Sequence, residues 1–414
     1  MRTSDVIVIG GGLAGLTAAI VAAGRGKEVT LMTSGAGTLA IGGGTIDMLG
    51  YLEDNTTVYS PRDGLGRLAE DHPYSKVGSQ VMEDAVQFFL TMCKEEGFAY
   101  TGSMDSTQWL PTAVGTLKPS CLVPLTMDIS LLKAANHVVV AGFSRLKDYF
   151  PELVIKGLSK LPGYQKEYEK VVIETGFTGG RDVTTLDIAR WLDTAAGQQA
   201  CYEQLGKHIK PGSVVIIPPV LGSRPNYDVR NKLEQALSCK FVETVIMPTA
   251  ITGLRLRAML LNRAKKLGVK IMEQAHAAWA VKDGSRVMSV VTSNIDRERA
   301  YSTQAVILAT GGFFGGGIVA DPDTVHEAVL QLPVEAPTDR EEWGTLKLFS
   351  GAAQPFAKIG IKVDSSLRPV DAQGKVLLEN VYIAGRNLAG YDYCLEKSGN
   401  GVALVTGYKA GLTC

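Results

Sequence analysis

The sequence predicts an α/β protein: a Rossmann-like, doubly wound domain interrupted by an inserted α/β or α+β domain. Three observations carry that expectation. A strand–glycine turn–helix opens the chain, the text changes character from Gly97 to about Thr249, and two further strands that run into glycine follow. The expected division is residues 1–72 and 251–414 for the doubly wound domain and 73–250 for the insertion.

The opening element is Asp5 to Ser34. Asp5-Val-Ile-Val-Ile9 has the length and β-branched content of a strand buried on both faces. Gly10-Gly-Gly12-Leu-Ala-Gly15 follows and fits G-x-G-x-x-G, in which glycine permits the tight turn, close approach of backbone to a phosphate, and close packing of helix on strand. Leu13 to Ala23 reads as the helix and Lys27 to Met32 as the second strand. A phosphate is expected at the unpaired N–H groups of Gly11 to Ala14, with no basic side chain required, and Gly10, Gly11, Gly12, Leu13, Ala14 and Gly15 are expected to line the cofactor. The dinucleotide fingerprint also asks for Asp or Glu at the end of the second strand, to hold a ribose. Met32, Thr33 and Ser34 stand there instead. Either Thr33 or Ser34 holds an adenosine ribose more weakly, or no adenosine is bound.

Bulk composition narrows the class. Lys plus Arg equals Asp plus Glu at 42 each, so no net field draws the chain to nucleic acid or anionic lipid. Cysteines at 93, 121, 201, 239, 394 and 414 form no C-x-x-C pair and no zinc or iron–sulfur spacing, so no metal site is expected and the thiols read as buried in a reducing cytosol. No signal peptide and no run of eighteen apolar residues is read, which leaves membrane attachment to a partner.

Gly35 to Gly50 is dense in glycine, and Gly42, Gly43, Gly44 and Thr45 are expected where backbone passes close to a flat ligand. His72, one of five histidines, precedes an amphipathic helix over Gln80 to Glu96 and is a candidate acid/base or phosphate-binding group, with a structural hydrogen bond as the alternative. In the insertion, strand-like runs such as Ala135 to Ala141 and Ser213 to Pro218 alternate with helical ones such as Thr185 to Asp193. Gly115 to Lys118 and Gly142 to Lys147 offer cations beside glycine turns, suited to phosphate contact or to ordinary surface turns. Gly253 to Leu267 reads as a helix and Val269 to Thr292 as a three-stranded meander with an Asp-Gly turn at Asp283-Gly284.

Ala305 to Gly312 is an apolar strand that ends in Ala309-Thr310-Gly311-Gly312, and strands of open α/β sheets present such ends to ligands. Asn380 to Arg386 is a further strand, ending in Gly385 and Arg386. Gly399, Asn400, Gly401 and Val402 then open a small-residue helix whose N–H groups suit the electron-rich edge of a flavin.

In this order of elements the chain resembles the two-dinucleotide-binding-domain flavoproteins, the group that contains fumarate reductase and aspartate oxidase. More narrowly it is similar to the B-type subunit of the anaerobic glycerol-3-phosphate dehydrogenase complex. That likeness rests on Val8 to Gly15, His72 to Ser75, Gly115 to Leu117, Ala309 to Phe314 with Gly316 to Ala320, and Leu367-Arg368-Pro369. The resemblance implies oxidation of glycerol 3-phosphate to dihydroxyacetone phosphate in anaerobic glycerol metabolism, with electrons passed to quinone. It implies FMN in this chain (FAD is the alternative), an FAD-containing A-type partner, and an iron–sulfur C-type partner that holds the complex at the inner face of the membrane from the cytoplasm. Arg368 joins His72 as a catalytic candidate. Arg386 stands where such flavoproteins usually carry an acidic residue, and a positive charge there would raise the flavin's potential. Two other readings stay open: a stand-alone fumarate reductase-like flavoprotein, and a non-catalytic Rossmann scaffold.

Overall fold

A strand without a polar face needs cover on both sides, which is where β1 (Arg2–Ile9) lies. The computed structural model of the chain describes residues 2–248, 250–294, 297–322, 324–347 and 351–414. After β1 comes helix α1 (Leu13–Gly24), whose residues from Leu13 to Ala22 are all buried. The fully buried β2 (Val29–Thr33) then pairs parallel with β1, Val6 beside Val29 and Ile9 beside Met32.

Helix α2 (Ser79–Glu95) lies beyond residue 72, yet its buried face of Met82, Ala85, Val86, Phe89 and Met92 belongs to the same hydrophobic core as β1 and α1. A second core gathers residues between Ala113 and Ala250. Its frame is a four-stranded parallel sheet of β3 (His137–Phe143), β4 (Glu167–Ile173), β5 (Val214–Ile217) and β6 (Lys240–Glu243), in the order β6-β5-β3-β4. Parallel pairing demands crossovers, and helices such as Pro151–Leu158, Thr185–Leu192 and Asp228–Leu237 supply them. The insertion is therefore α/β.

The chain returns through helix α3 (Ile251–Lys266), β7 (Lys270–Glu273), β8 (Ala277–Asp283), β9 (Arg286–Asn294) and β10 (Arg297–Leu308). Short β11 (Val381–Ile383) and helix α4 (Gly399–Thr413) complete it. Among the described residues the main sheet has seven strands, in the order β7-β2-β1-β10-β9-β8, with β11 paired parallel to the carboxyl-terminal end of β10 at Val306 to Leu308. The expected meander over 269–292 is corrected in one respect. β7 leaves it to pair parallel with β2, and the third antiparallel strand is β10. The turn at Asp283-Gly284 does join β8 to β9, with Gly284 at φ +53°.

Helix α4 closes the fold against α1 through small residues. A Cβ on Gly407 would stand 2.4 Å from the Ala14 carbonyl oxygen and one on Gly411 2.6 Å from that of Ala18. Glycines four apart thus let two helices approach at backbone distance, and this fixes the amino ends of both at one edge of the sheet.

Candidate functional site

The turn after β1 is crowded on all sides but one. Gly10 has φ +114° and a Cβ there would meet the Ala309 carbonyl oxygen at 2.1 Å; a Cβ on Gly11 would meet Thr33 Oγ1 at 2.6 Å, and one on Gly15 the Gly10 oxygen at 1.9 Å. Around Gly12, by contrast, a Cβ would meet nothing within 4 Å. That open side is the wall of a cleft of about 370 Å³, lined by Gly10 to Gly12, Met32 to Gly35, Ala275 to Ala277, Ala309 to Gly311 and Phe314, with Gly37 and Thr38 at its margin.

The amino end of α1 faces this region without a side-chain cap and without an acid in its first turn. Its first helical hydrogen bond runs from Leu16 N–H to the Gly12 carbonyl, so the preceding amides are free of helical partners. Free amides and the positive end of the helix dipole, next to open space, suit a phosphate. Thr33 is differently engaged: its hydroxyl donates to the Gly35 carbonyl (2.5 Å) and accepts from Gly35 N–H (3.3 Å). Ser34 is exposed on the lining.

A buried amide organises the far wall. Asn387 accepts from Gly312 N–H through Oδ1 (2.7 Å), and its Nδ2 donates to the Leu308 carbonyl (3.2 Å) and Thr310 Oγ1 (3.0 Å). Thr310, Gly311 and Gly312 are thereby tied to the turn Gly385–Asn387 that follows β11. Gly385 has φ +69°, and a Cβ there would stand 3.0 Å from that of Ala14.

A second group of expected residues meets beside this cleft. Asn400 Nδ2 donates to the Thr45 carbonyl (2.8 Å), and a Cβ on Gly401 would clash with Tyr74 Oη (2.2 Å) and the Asp47 carbonyl (2.8 Å). The start of α4, Gly399 to Val402, therefore abuts the loop that carries Gly42, Gly43, Gly44 and Thr45. From the other side, Gly44 (φ +70°) presses on Thr252 at the start of α3, and Tyr100 Oη donates to the Gly44 carbonyl (2.7 Å). Lys118 reaches the same loop: its Nζ lies 2.5 Å from Asp47 Oδ2 and 3.2 Å from Thr45 Oγ1, while Ser120 Oγ donates to Asp47 Oδ1 (2.6 Å). Burial pushes Tyr74 well above the usual phenol range, which keeps its hydroxyl a donor.

His72 is buried and both ring nitrogens are engaged. Nδ1 accepts from Tyr74 N–H (3.0 Å) at the start of the helix Pro73–Val77, so the proton sits on Nε2, which donates to Glu396 Oε2 (3.1 Å). Arg368 pairs with Asp364 at 2.7 Å and is about one third exposed; it is not in the lining of the glycine cleft. Of the other cations that stand beside glycine turns, Arg145 donates to the carbonyls of Phe177 and Gly179 and Lys147 pairs with Asp182, both exposed on the insertion.

Several contributors have no signal in the sequence. Asn387 and Ala275 to Ala277 carry no local signature, and Asp47 gains its meaning only from Lys118 and Ser120, more than 70 residues away. Phe314 belongs to a stretch legible as a motif but not as a wall.

A glycine turn that admits a phosphate at a helix amino end, on a mixed sheet whose parallel strands return to it, defines a nucleotide-binding protein of the Rossmann-like class. Residues 5–402 match the FAD binding domain family, to which the chain belongs, and its cofactor is a flavin. Within that class the chain belongs to the family of anaerobic glycerol-3-phosphate dehydrogenase B-type subunits. It is 30% identical to the B-type subunit of Vibrio cholerae serotype O1, over 99% of this chain and 96% of the relative. It is likewise 30% identical to the probable B-type subunit of Halobacterium salinarum, over 99% of this chain and 97% of the relative. Among solved structures it is similar to a 3-ketosteroid delta1-dehydrogenase from Sterolibacterium denitrificans, with a TM-score of 0.48 and 12% identity, over 100% of this chain and 99% of that one.

Proposed function

We propose that this chain is the B-type flavoprotein subunit of a multisubunit glycerol-3-phosphate dehydrogenase, which oxidises glycerol 3-phosphate to dihydroxyacetone phosphate and passes the electrons toward quinone. The near-full-length likeness to relatives of that name carries the reading. The flavin would supply a two-electron acceptor for the carbon-bound hydrogen of the alcohol. The chain's own residues hold and orient. The α1 amides at Gly12 to Ala14 would take the flavin phosphate, and Gly42 to Thr45 with Gly399 to Val402 would flank the ring. His72 is proposed as a positioning residue: it holds Glu396, which in turn accepts from Ser398 Oγ (2.8 Å) directly before α4. In this reading the partners are an FAD-containing A-type chain and an iron–sulfur C-type chain, and the latter carries the assembly on the cytoplasmic side of the membrane. No helix among the described residues is long and apolar enough to cross one.

For the flavin itself we favour FMN. The end of β2 offers no carboxylate, and the Thr33 hydroxyl is already spent on Gly35. FAD is the second reading, favoured by the cleft's continuation past Ser34 to Ala275 and Ala277. Chromatography of the flavin released on denaturation separates the two. Anaerobic addition of glycerol 3-phosphate to the co-purified complex tests the activity: the flavin absorbance is expected to bleach. Bleaching only with a different donor, or reoxidation only by fumarate, would reject the reading.

A further inference from the structure

A cation from the insertion reaches the flavin loop and is fixed there from both sides. Residues Gln108–Pro111 and Leu117–Ser120 pair as a hairpin, tied at its tip by the Thr112 and Thr116 hydroxyls (2.8 Å) and by Gly115, where a Cβ would stand 2.6 Å from Gly157 Cα. Directly after the hairpin, Cys121 N–H and Leu122 N–H both donate to the Ile46 carbonyl (3.1 and 3.0 Å). Lys118 lies between these anchors, and its Nζ donates to Asp47 Oδ2 (2.5 Å) and Thr45 Oγ1 (3.2 Å). Two of the three ammonium N–H groups are thus engaged, and the third has no acceptor among the described residues. Asp47 is more fully engaged: its Oδ1 accepts from Thr45 Oγ1 (2.8 Å) and Ser120 Oγ (2.6 Å), and its Oδ2 from Lys118.

Thr45 is where this pair meets the elements proposed to flank the ring. Its carbonyl accepts from Asn400 Nδ2 at the start of α4, and its hydroxyl lies between Lys118 and Asp47. The Lys118 and Asp47 side chains are 24% and 16% exposed, so water screens their charges only in part. A pair withdrawn from water to this degree adds little over an apolar pair of the same volume, so stability alone gives no reason for it. Reduction by two electrons and one proton leaves one net negative charge on a flavin's rings, and a fixed cation nearby favours that state. Arg386, the other cation expected to act in this way, is stacked on Tyr393 and Phe314, 4.4 and 5.4 Å from their ring centroids.

We propose that Lys118 raises the reduction potential of the flavin held by this chain, and that Asp47 aims the ammonium while offsetting part of its charge. This role rests on the ring position proposed above and is independent of which donor is oxidised. Three donors neutralise the carboxylate, whereas the ammonium keeps one N–H unengaged, so the cation is the member of the pair with a field left to exert. Removing the two members therefore moves the potential in opposite directions, down without Lys118 and up without Asp47.

The test uses the full-length chain with its flavin bound, wild type against Lys118→Met, Lys118→Arg and Asp47→Asn. Each is reduced chemically under anaerobic conditions beside a reference dye of known potential, and flavin per chain and the thermal midpoint are read on the same samples. Lys118→Met should shift the balance of oxidised and reduced flavin roughly tenfold toward the oxidised form, a potential about 30 mV lower for two electrons. Lys118→Arg should keep most of the wild-type value, and Asp47→Asn should shift the balance the other way by a smaller factor. A pair that only holds the hairpin to the loop would lower the midpoint and flavin content in Lys118→Met and Asp47→Asn alike and leave the potential where it was. Potentials within twofold of wild type in both variants, a shift of the same sign in both, or loss of flavin from all three variants would each overturn the role. No substrate enters the measurement, so a wild type that glycerol 3-phosphate fails to bleach would reject the proposed function and leave this result standing.

Discussion

Replacing Arg255 with Met should loosen both the junction between the two sheets and the flavin loop. Arg255 in α3 and Glu243 at the end of β6 are 1% and 0% exposed. They form a two-pronged pair, Nη1 to Oε2 at 2.7 Å and Nη2 to Oε1 at 3.0 Å, while Arg255 Nε donates to the Gly222 carbonyl (2.8 Å). In Arg255→Met the Glu243 carboxylate keeps only the Leu221 N–H (2.7 Å). An uncompensated buried charge of this kind costs about 3–5 kcal/mol, or roughly two to four powers of ten in the unfolding equilibrium. One turn earlier on α3, Gly253 sits under the Gly42 carbonyl and Thr252 under Gly44, so the same variant should also lose flavin. Urea unfolding followed by circular dichroism measures the first effect and released flavin the second. The double variant Glu243→Leu with Arg255→Met removes both charges and should be milder than Arg255→Met alone, because an apolar pair of similar volume often substitutes for a buried ion pair. A cost below about 1 kcal/mol for the single variant, or a double variant worse than the single, would refute the pairing logic.

Other outcomes follow from single contacts. Gly10→Ala forces a Cβ to 2.1 Å from the Ala309 oxygen at φ +114°, so folded protein should retain little flavin; flavin content at the wild-type level contradicts this. His72→Ala strips Nε2 from Glu396 and a cap from Tyr74 N–H, and should lower the thermal midpoint and flavin content together, with an unchanged midpoint as the opposing result. The Asp187 carboxyl is held far below the usual range, first by Arg181 and then by the Thr184 capping box. A depressed acid stabilises above its unfolded pKa of about 3.9 and loses that contribution as pH falls toward the folded value. Asp187→Ala should therefore cost about 1 kcal/mol at pH 7 and progressively less below about pH 4, and a gap that does not change with pH contradicts the assignment.

The opening unit was legible because each requirement there is local: an apolar strand, a turn that only glycine can make, and a helix entry within fifteen residues. The return of Ala309 to Gly312 and of Gly385 to the same edge was legible for a similar reason, since strands that run into glycine announce their ends. The partition of 269–308 was not. A short strand such as Lys270 to Glu273, with two adjacent apolar residues between charged ends, reads alike whether it joins a meander or the edge of a parallel sheet, and only its pairing with β2 decides. Asn387 and Asp47 were invisible because what they do is set by residues far along the chain. His72 drew attention by its rarity, although Pro73 directly after it already marked the start of a helix, where its ring caps Tyr74 N–H.

The most direct test of a flavin-carrying B-type chain is to purify the complex under native conditions, titrate it anaerobically with glycerol 3-phosphate, then isolate this chain and chromatograph the flavin it releases. Stoichiometric flavin on this chain is expected, FMN by retention, with absorbance bleached by glycerol 3-phosphate before denaturation. A chain that carries no flavin as isolated and takes up none on reconstitution would contradict it.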